Sequence, residues 1–477
     1  MNPVGRLLIG GLLATASGLA LALEARPPEV ASRTSAGFAA IGPCGSPHFA
    51  RSNARYLSFG CRGALTVDDD NDHADSFWYD RGAASLERVS VTSEEADIRF
   101  DSFGGFPASS GDGVAFGSLG PLHSDAEPIS PGFERRNAFL RDRSSGTTEF
   151  VSRNSDGEMS LFGVGLQDSL PDRQELLLQT RSQLLAPPDI ITSDTNLYVR
   201  NWETHAIELI TANVDGTLAD GVSGGSRLST DGRYVVFAST ATTLPGAPVF
   251  GSGINLYLRD RATQTTERLT RPWHGGEFTG EMTLDIHTPR ISANGRWVLF
   301  GSSSLELLPN DAGPPTTQQV YLLDRQTGQF ERISADEAGL PGDAFSGVPD
   351  MSDDGRYLTF FSRASNLPAG HEAIYVIDRE TGEWANATAA LGPQSGSSPN
   401  LELARDGSAI AFSWRVTDPS LPDLVGRNPI YTVALRGDDP APAPTPVPGL
   451  RFAWIIALVT LVIWVAAFSW IGQRGKR

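Results

Sequence analysis

The chain has 477 residues, with 56 acidic against 38 basic side chains and a formal net charge of −18. An acidic surface of that size repels nucleic acid and anionic lipid, which excludes both as the main partner. Only two cysteines occur, Cys44 and Cys61, which suits an exported protein and is enough for one bridge.

The N-terminus carries Arg6, then an apolar run from Leu7 to Ala22 that ends in the small-residue triplet Ala20-Leu21-Ala22. This pattern predicts a signal peptide over residues 1–22, cut near Leu23. Residues 23–437 follow as strand-like, Gly-rich sequence, long enough to bury a large core.

Near the start of that region, Ser46 to Ala50 and Tyr56 to Gly60 read as a hairpin flanked by Cys44 and Cys61. A four-residue turn from Arg51 to Ala54 sets the two cysteines directly opposite, at the spacing a disulfide requires. A tighter turn on Asn53-Ala54 makes them a diagonal pair, and the register between the two points them to opposite faces. Next comes the acidic stretch from Asp68 to Asp75. Asp68, Asp70 and Asp72 are its candidate ligands for a hard cation such as Ca²⁺. An EF-hand loop starting at Asp68 would need Gly where His73 stands and Glu where Tyr79 stands, so a solvated acidic loop is the competing reading.

The rest of the chain is organised by a repeat. A polar turn followed by Arg-aromatic-aliphatic-x-Phe appears as Asp231-Gly232-Arg233-Tyr234-Val235-Val236-Phe237. It returns as Asn294-Gly295-Arg296-Trp297 and as Asp354-Gly355-Arg356-Tyr357, each running on to Phe300 or Phe360. More eroded copies put the residue at the Gly position at 54, 113, 173 and 407, so the unit recurs roughly every 60 residues. A second motif follows each first one, as in Asn255-Leu256-Tyr257-Leu258-Arg259-Asp260 and Val320-Tyr321-Leu322-Leu323-Asp324-Arg325. With the pieces around Glu267 to Thr270 and Pro289 to Ser292, each unit reads as four short strands. Asp-Gly and Asn-Gly supply the positive φ that tight hairpins need, so the recurring Asp is read as structural rather than catalytic. The run Tyr234 to Phe237 is apolar on both faces, which calls for cover on both sides. Seven such units stacked in a ring meet all of these demands. The expected fold is therefore an all-β, seven-bladed β-propeller of four-stranded blades.

These repeats, in phrases such as LSTDGRYVVFAST, NLYLRDRATQTTERLT and MSDDGRYLTFFSRASNLP, resemble those of the TolB-like, WD40-like (PD40) propellers of bacterial cell envelopes. The resemblance spans roughly residues 29–436, strongest in blades four to six and weakest in blade three. It implies a protein-binding platform, or a propeller fused to an enzyme domain. The last unit lacks its fourth strand, and Glu29-Val30-Ala31-Ser32 is spare at the other end, so these residues are expected to close the ring.

A Pro-rich linker occupies residues 438–451. The charge-free run from Phe452 to Ile471 would make roughly 30 Å of helix, matching a bilayer core. Arg474, Lys476 and Arg477, in the basic tail 472–477, place that end in the cytoplasm and the propeller outside. The tail also resembles sorting signals read by exosortase-type peptidases. Its motif would be Val447-Pro448-Gly449-Leu450, which departs from the commoner signatures.

Catalytic signals are weak. Gly221-Val222-Ser223-Gly224-Gly225 matches a nucleophile elbow in letters but lacks the strand before and the helix after. The seven histidines show no ligand spacing, and no cofactor other than the possible Ca²⁺ is expected. The expected function is a non-catalytic module binding a protein or envelope ligand at one propeller face, where the loops 121–136 and 244–253 are contact candidates. It would sit in the inner membrane facing the periplasm, or at the surface if the tail is processed. The alternatives are a hydrolase or lyase with its site distributed at the channel mouth, and a structural surface scaffold.

Overall fold

The computed structural model describes most of residues 25–435; segments 124–135, 185–190, 249–252, 279–288, 310–316 and some shorter stretches fall outside the described residues. The expected signal peptide, Pro-rich linker, membrane span and basic tail also lie outside them, as does most of the loop 121–136 and part of 244–253. Among the described residues no helix is long and apolar enough to cross a membrane.

Seven antiparallel four-stranded sheets form the seven blades. Blade four shows the pattern: Ser223–Leu228 lies innermost, followed outward by Tyr234–Ser239, Asn255–Asp260 and Thr265–Arg268. Blade seven takes three strands from the C-terminal end, Leu401–Leu403, Ala409–Ser413 and Ile430–Ala434. Its outer strand is Glu29–Val30, with Glu29 opposite Thr432 and Val30 opposite Tyr431. The two ends of the repeat region thus share one sheet, and the ring closes by backbone hydrogen bonds.

The repeat motifs now have physical reasons. The Phe that ends the first motif stands directly across from the aromatic of the second, as in Phe237 against Tyr257 and Phe360 against Tyr375. Six blades carry such a pair, with ring centroids 5.4–6.1 Å apart. The second strand of each blade is buried on both faces because its neighbours cover it from both sides, as in the mixed core around Val236, Leu258, Val298 and Phe300 from blades four and five.

One face of the ring carries the tight turns and is called here the turn face. There the motif Arg grips the Asp that ends the next strand through two hydrogen bonds, Arg233 to Asp260 at 3.0 and 2.7 Å and Arg296 to Asp324 at 2.9 and 2.7 Å. Arg55–Asp80 and Arg356–Asp378 repeat this geometry. The turn Gly has two reasons to lack a side chain. Gly355 has φ 73°, and a Cβ there would stand 2.5 Å from the Trp297 ring of the preceding blade. Gly295 meets Tyr234 and Gly407 meets Tyr357 at the same distance. Neighbouring blades are therefore keyed aromatic-on-glycine around the ring.

Candidate functional site

The innermost strands share an irregularity. In blade one, His48 pairs with Ser58 and Phe49 with Leu57, but beyond Ser46-Pro47 the register shifts, so that Gly45 pairs with Gly60 and Cys44 with Cys61. The same shift occurs in blades two, three, four and six. It is a β-bulge, two residues facing one, and it re-aims the side chain that follows. Ser46, Gly225 and Val348 hold φ of 50°, 54° and 53° there. This bulge also corrects the hairpin reading of blade one. The turn sets the register that would have pointed the two cysteines apart, and the extra residue restores their face. Cys44 and Cys61 are joined by a disulfide.

After the bulge, or at the equivalent point, each blade sends one residue toward the ring axis. These are His48, Phe106, Asp168, Arg227, Arg290, Asp350 and Glu402. Arg51, Asp353 and Arg405 join them three residues further toward the turn face. The contacts run across the ring rather than within blades. Arg51 reaches Asp168 at 2.5 Å, 117 residues away in sequence. Arg290 binds Asp350 at 2.6 Å and Glu402 at 2.9 Å. Asp350 also accepts the Leu403 N–H at 2.7 Å and lies 3.8 Å from Arg405. Asp168 accepts the Leu228 N–H at 2.9 Å, and Arg227 donates to the Gln167 carbonyl. Thr230 donates to Asp353 at 2.8 Å. His48 stacks on Phe106 with centroids 4.2 Å apart and approaches Glu402 at 3.5 Å.

The charges balance: four arginines (51, 227, 290, 405) face four carboxylates (168, 350, 353, 402). Burial opposes ionisation of Asp168 and Glu402. The guanidinium groups of Arg51 and Arg227 nevertheless hold Asp168 below the usual carboxylate range, and Arg290, with His48 and Arg405, holds Glu402 well below it. Burial, then neighbouring Arg290, pulls Arg227 down to about 10. Burial also lowers His48 and raises Asp353. The axis is thus filled by a compensated ionic layer rather than by a free acid and base.

The residues singled out from sequence are placed as follows. Asp68, Asp70 and Asp72 do not converge. Asp68 lies 3.0 Å from Arg88, while Asp70 and Asp72 are exposed. The inward carboxylates are Asp69 and Asp75, which with Asp97 surround Arg88 at 3.9, 3.9 and 2.7 Å. Burial pushes Asp75 up to about 7. Among the described residues no group of three or more His, Cys, Asp or Glu is arranged to hold a metal ion. Ser223 opens the inner strand of blade four, where its buried hydroxyl lies 2.8 Å from that of Ser239.

The axial layer is what sequence reasoning missed. Its signal was present: a charged residue stands five positions before the turn residue in blades three to seven, at 168, 227, 290, 350 and 402. Read one blade at a time, it looks like ordinary strand polarity.

The face opposite the turns, here the loop face, carries the connections between second and third strands and between blades. At its axial mouth a pocket of about 400 Å³ opens between blades two and three, with Phe103, Arg136, Gln167, Gln179, Arg181 and Thr195 in its walls. A larger hollow of about 1170 Å³ lies on the outer rim between blades five and six, far from the axis, and is lined by both signs of charge, including Glu331, Arg332, Asp336 and Arg379.

Fold and site together define a seven-bladed β-propeller with an ionically closed axis and a pocketed loop face. No protein-family model and no curated protein matches the chain. Solved structures similar to it include TolB from Acinetobacter baumannii, at 16% identity over 80% of each chain and a TM-score of 0.39. An oligogalacturonate lyase in complex with manganese matches at 13% identity over 87% of this chain and 98% of that one, with a TM-score of 0.46. The β-propeller domain of the Trilobed protease from Pyrococcus furiosus matches at 12% identity over 87% and 99%, with a TM-score of 0.49. Assignment of the fold rests on the seven sheets described above.

Proposed function

We propose that the chain is an exported, membrane-attached propeller of the cell envelope that binds a protein or envelope ligand on its loop face and catalyses no reaction on it. The observation that carries this reading is the axial layer. Arg51, Arg290 and Arg405 pair with Asp168, Asp350 and Glu402, which engages the axial carboxylates and leaves recognition to the loops and the mouth pocket. A distributed hydrolase or lyase site would need an axial acid or base released from such pairing. Export and attachment are supported by the apolar N-terminal run, the charge-free run 452–471 and the basic end, and a Cys44–Cys61 disulfide suits an oxidising compartment.

The test is site-specific photo-crosslinking in intact cells, using the full chain with the crosslinker placed at Arg363 or Arg415 on the loop face, or at Thr263 or Thr381 on the turn face. The expected result is one recurring crosslinked partner from the loop-face positions alone. The same partner captured equally from the turn face would overturn the choice of face. Protease added to intact spheroplasts should degrade the propeller, and full protection would overturn the proposed location.

A further inference from the structure

The mouth pocket between blades two and three differs in charge from the rest of this acidic chain. Among the described residues its lining contains no carboxylate, while Arg136 and Arg181 bring two guanidinium groups to it. Arg136 is exposed, and its guanidinium lies 4.5 Å from the centre of the Phe103 ring. That stacking steadies the group without neutralising it. By contrast with Arg136, other arginines of the same two blades are paired with acids: Arg141 with Glu95, Arg143 with Glu87 and Arg173 with Glu175.

The polar floor is preorganised. Gln167 Nε2 donates to Gln179 Oε1 at 3.1 Å, and Gln179 Nε2 donates to the Ser223 carbonyl at 2.6 Å. Thr195 Oγ1 donates to the same carbonyl at 3.0 Å. Behind Gln167, Arg227 of the axial layer donates to its backbone carbonyl. The Gln179 amide oxygen already accepts from Gln167, and a further cation, Arg227, stands behind the floor. A volume of about 400 Å³ falls within the roughly 300–1,000 Å³ typical of small-ligand sites.

We propose that this pocket binds an anionic group, a carboxylate or a phosphate, with Arg136 as the principal contact. The planar guanidinium suits either oxyanion through paired N–H donors. The inference rests on the loop-face reading above and deepens it: the ligand of that face presents negative charge to this opening, whose described lining carries no carboxylate.

The full chain, in detergent, is titrated by calorimetry with inorganic phosphate, with a tetraglutamate peptide, and with tetraglutamine as the neutral control. Saturable binding of phosphate or tetraglutamate, without tetraglutamine, is expected, and which of the two binds distinguishes phosphate from carboxylate ligands. Arg136→Glu should weaken it by about tenfold or more, the scale of a lost charge-assisted contact, while Arg415→Glu, the same charge change at an exposed loop-face position outside the pocket, should leave it within about twofold. Gly165→Leu supplies a second variant. A Cβ there meets nothing nearer than 3.7 Å, so the side chain should fill the pocket and abolish binding with the thermal midpoint preserved. Absence of saturable binding, or equal loss in Arg136→Glu and Arg415→Glu, would overturn the site. If the crosslinked partner is still captured by Arg136→Glu, the anion site fails while the loop-face reading stands.

Discussion

Two sets of arginine–carboxylate pairs hold this ring, and they obey different rules. On the turn face, Arg55–Asp80, Arg233–Asp260, Arg296–Asp324 and Arg356–Asp378 repeat one geometry within single blades, with the arginines 31–48% exposed. At the axis, Arg51–Asp168, Arg290–Asp350 and Arg290–Glu402 join different blades, use a different residue at each equivalent position, and are buried. The first set is a local device copied with the repeat, and water screens it. The second is specific to the closed ring, and its members have no water to fall back on. Pairing of the same chemical groups therefore carries very different energetic weight in the two places.

The largest expected effect tests that contrast directly. Asp350→Ala leaves Arg290 and Arg405 facing a buried gap and the Leu403 N–H without its acceptor, so it should cost about 3–5 kcal/mol. Arg233→Ala on the turn face should cost at most about 1 kcal/mol. Urea unfolding of both variants checks this, and equal losses would erase the distinction between axis and turn face.

Next in size is the disulfide beside the closing blade. Replacing Cys44 and Cys61 by Ser should lower stability by roughly 3 kcal/mol, the chain-entropy value for a loop of this length. Reducing the wild-type protein should reproduce the loss in the same denaturant titration. A loss in the variant without one on reduction would mean that packing, rather than the cross-link, was responsible.

A smaller effect separates backbone strain from blade keying on the turn face. Gly328 has φ 72° with open space around its absent Cβ, so Gly328→Ala should cost about 1 kcal/mol for the left-handed backbone alone. Gly355→Ala adds the contact with Trp297 and should cost clearly more. Similar thermal midpoints for the two variants would show that the neighbouring blade yields freely.

The last effect concerns pH. Burial raises Asp75 to about 7 in the folded chain, with Ser90 donating to its carboxyl at 2.5 Å. A folded pKa above the unfolded one gives a contribution that is complete below about pH 4 and is lost as pH rises through 7. Asp75→Asn keeps this group neutral. It should match the wild type at about pH 3.5 and melt higher than the wild type at about pH 8.5. Asp260 and Asp324, held near 2 chiefly by their bound arginines, act in the opposite sense, and their contribution disappears only as pH falls from about 4 toward 2.

What could be read from residues alone was whatever the repeat copies. Blade number, four strands per blade, the Asp-Gly and Asn-Gly turns and the structural role of the recurring Asp all depend on contacts between residues close in sequence. Arg296 and Asp324 lie 28 positions apart, and Phe300 faces Tyr321 in an adjacent strand. Such contacts recur because the unit recurs, so seven weak copies reinforce one signal. Even the closing strand was legible, because one unit lacked its outer edge. The tertiary structure decided the rest. A bulge, invisible to turn counting, set the cysteine register, and Arg88 was found among the carboxylates of the acidic loop. The axial layer joins Arg51 to Asp168 and Arg290 to Glu402, over 117 and 112 positions. Each blade contributes only one or two of its members, differing in type and sign, and they meet because ring closure brings seven inner strands to a common axis. A periodic sequence specifies the blade, but only the closed ring specifies which unlike residues must neutralise one another at its centre.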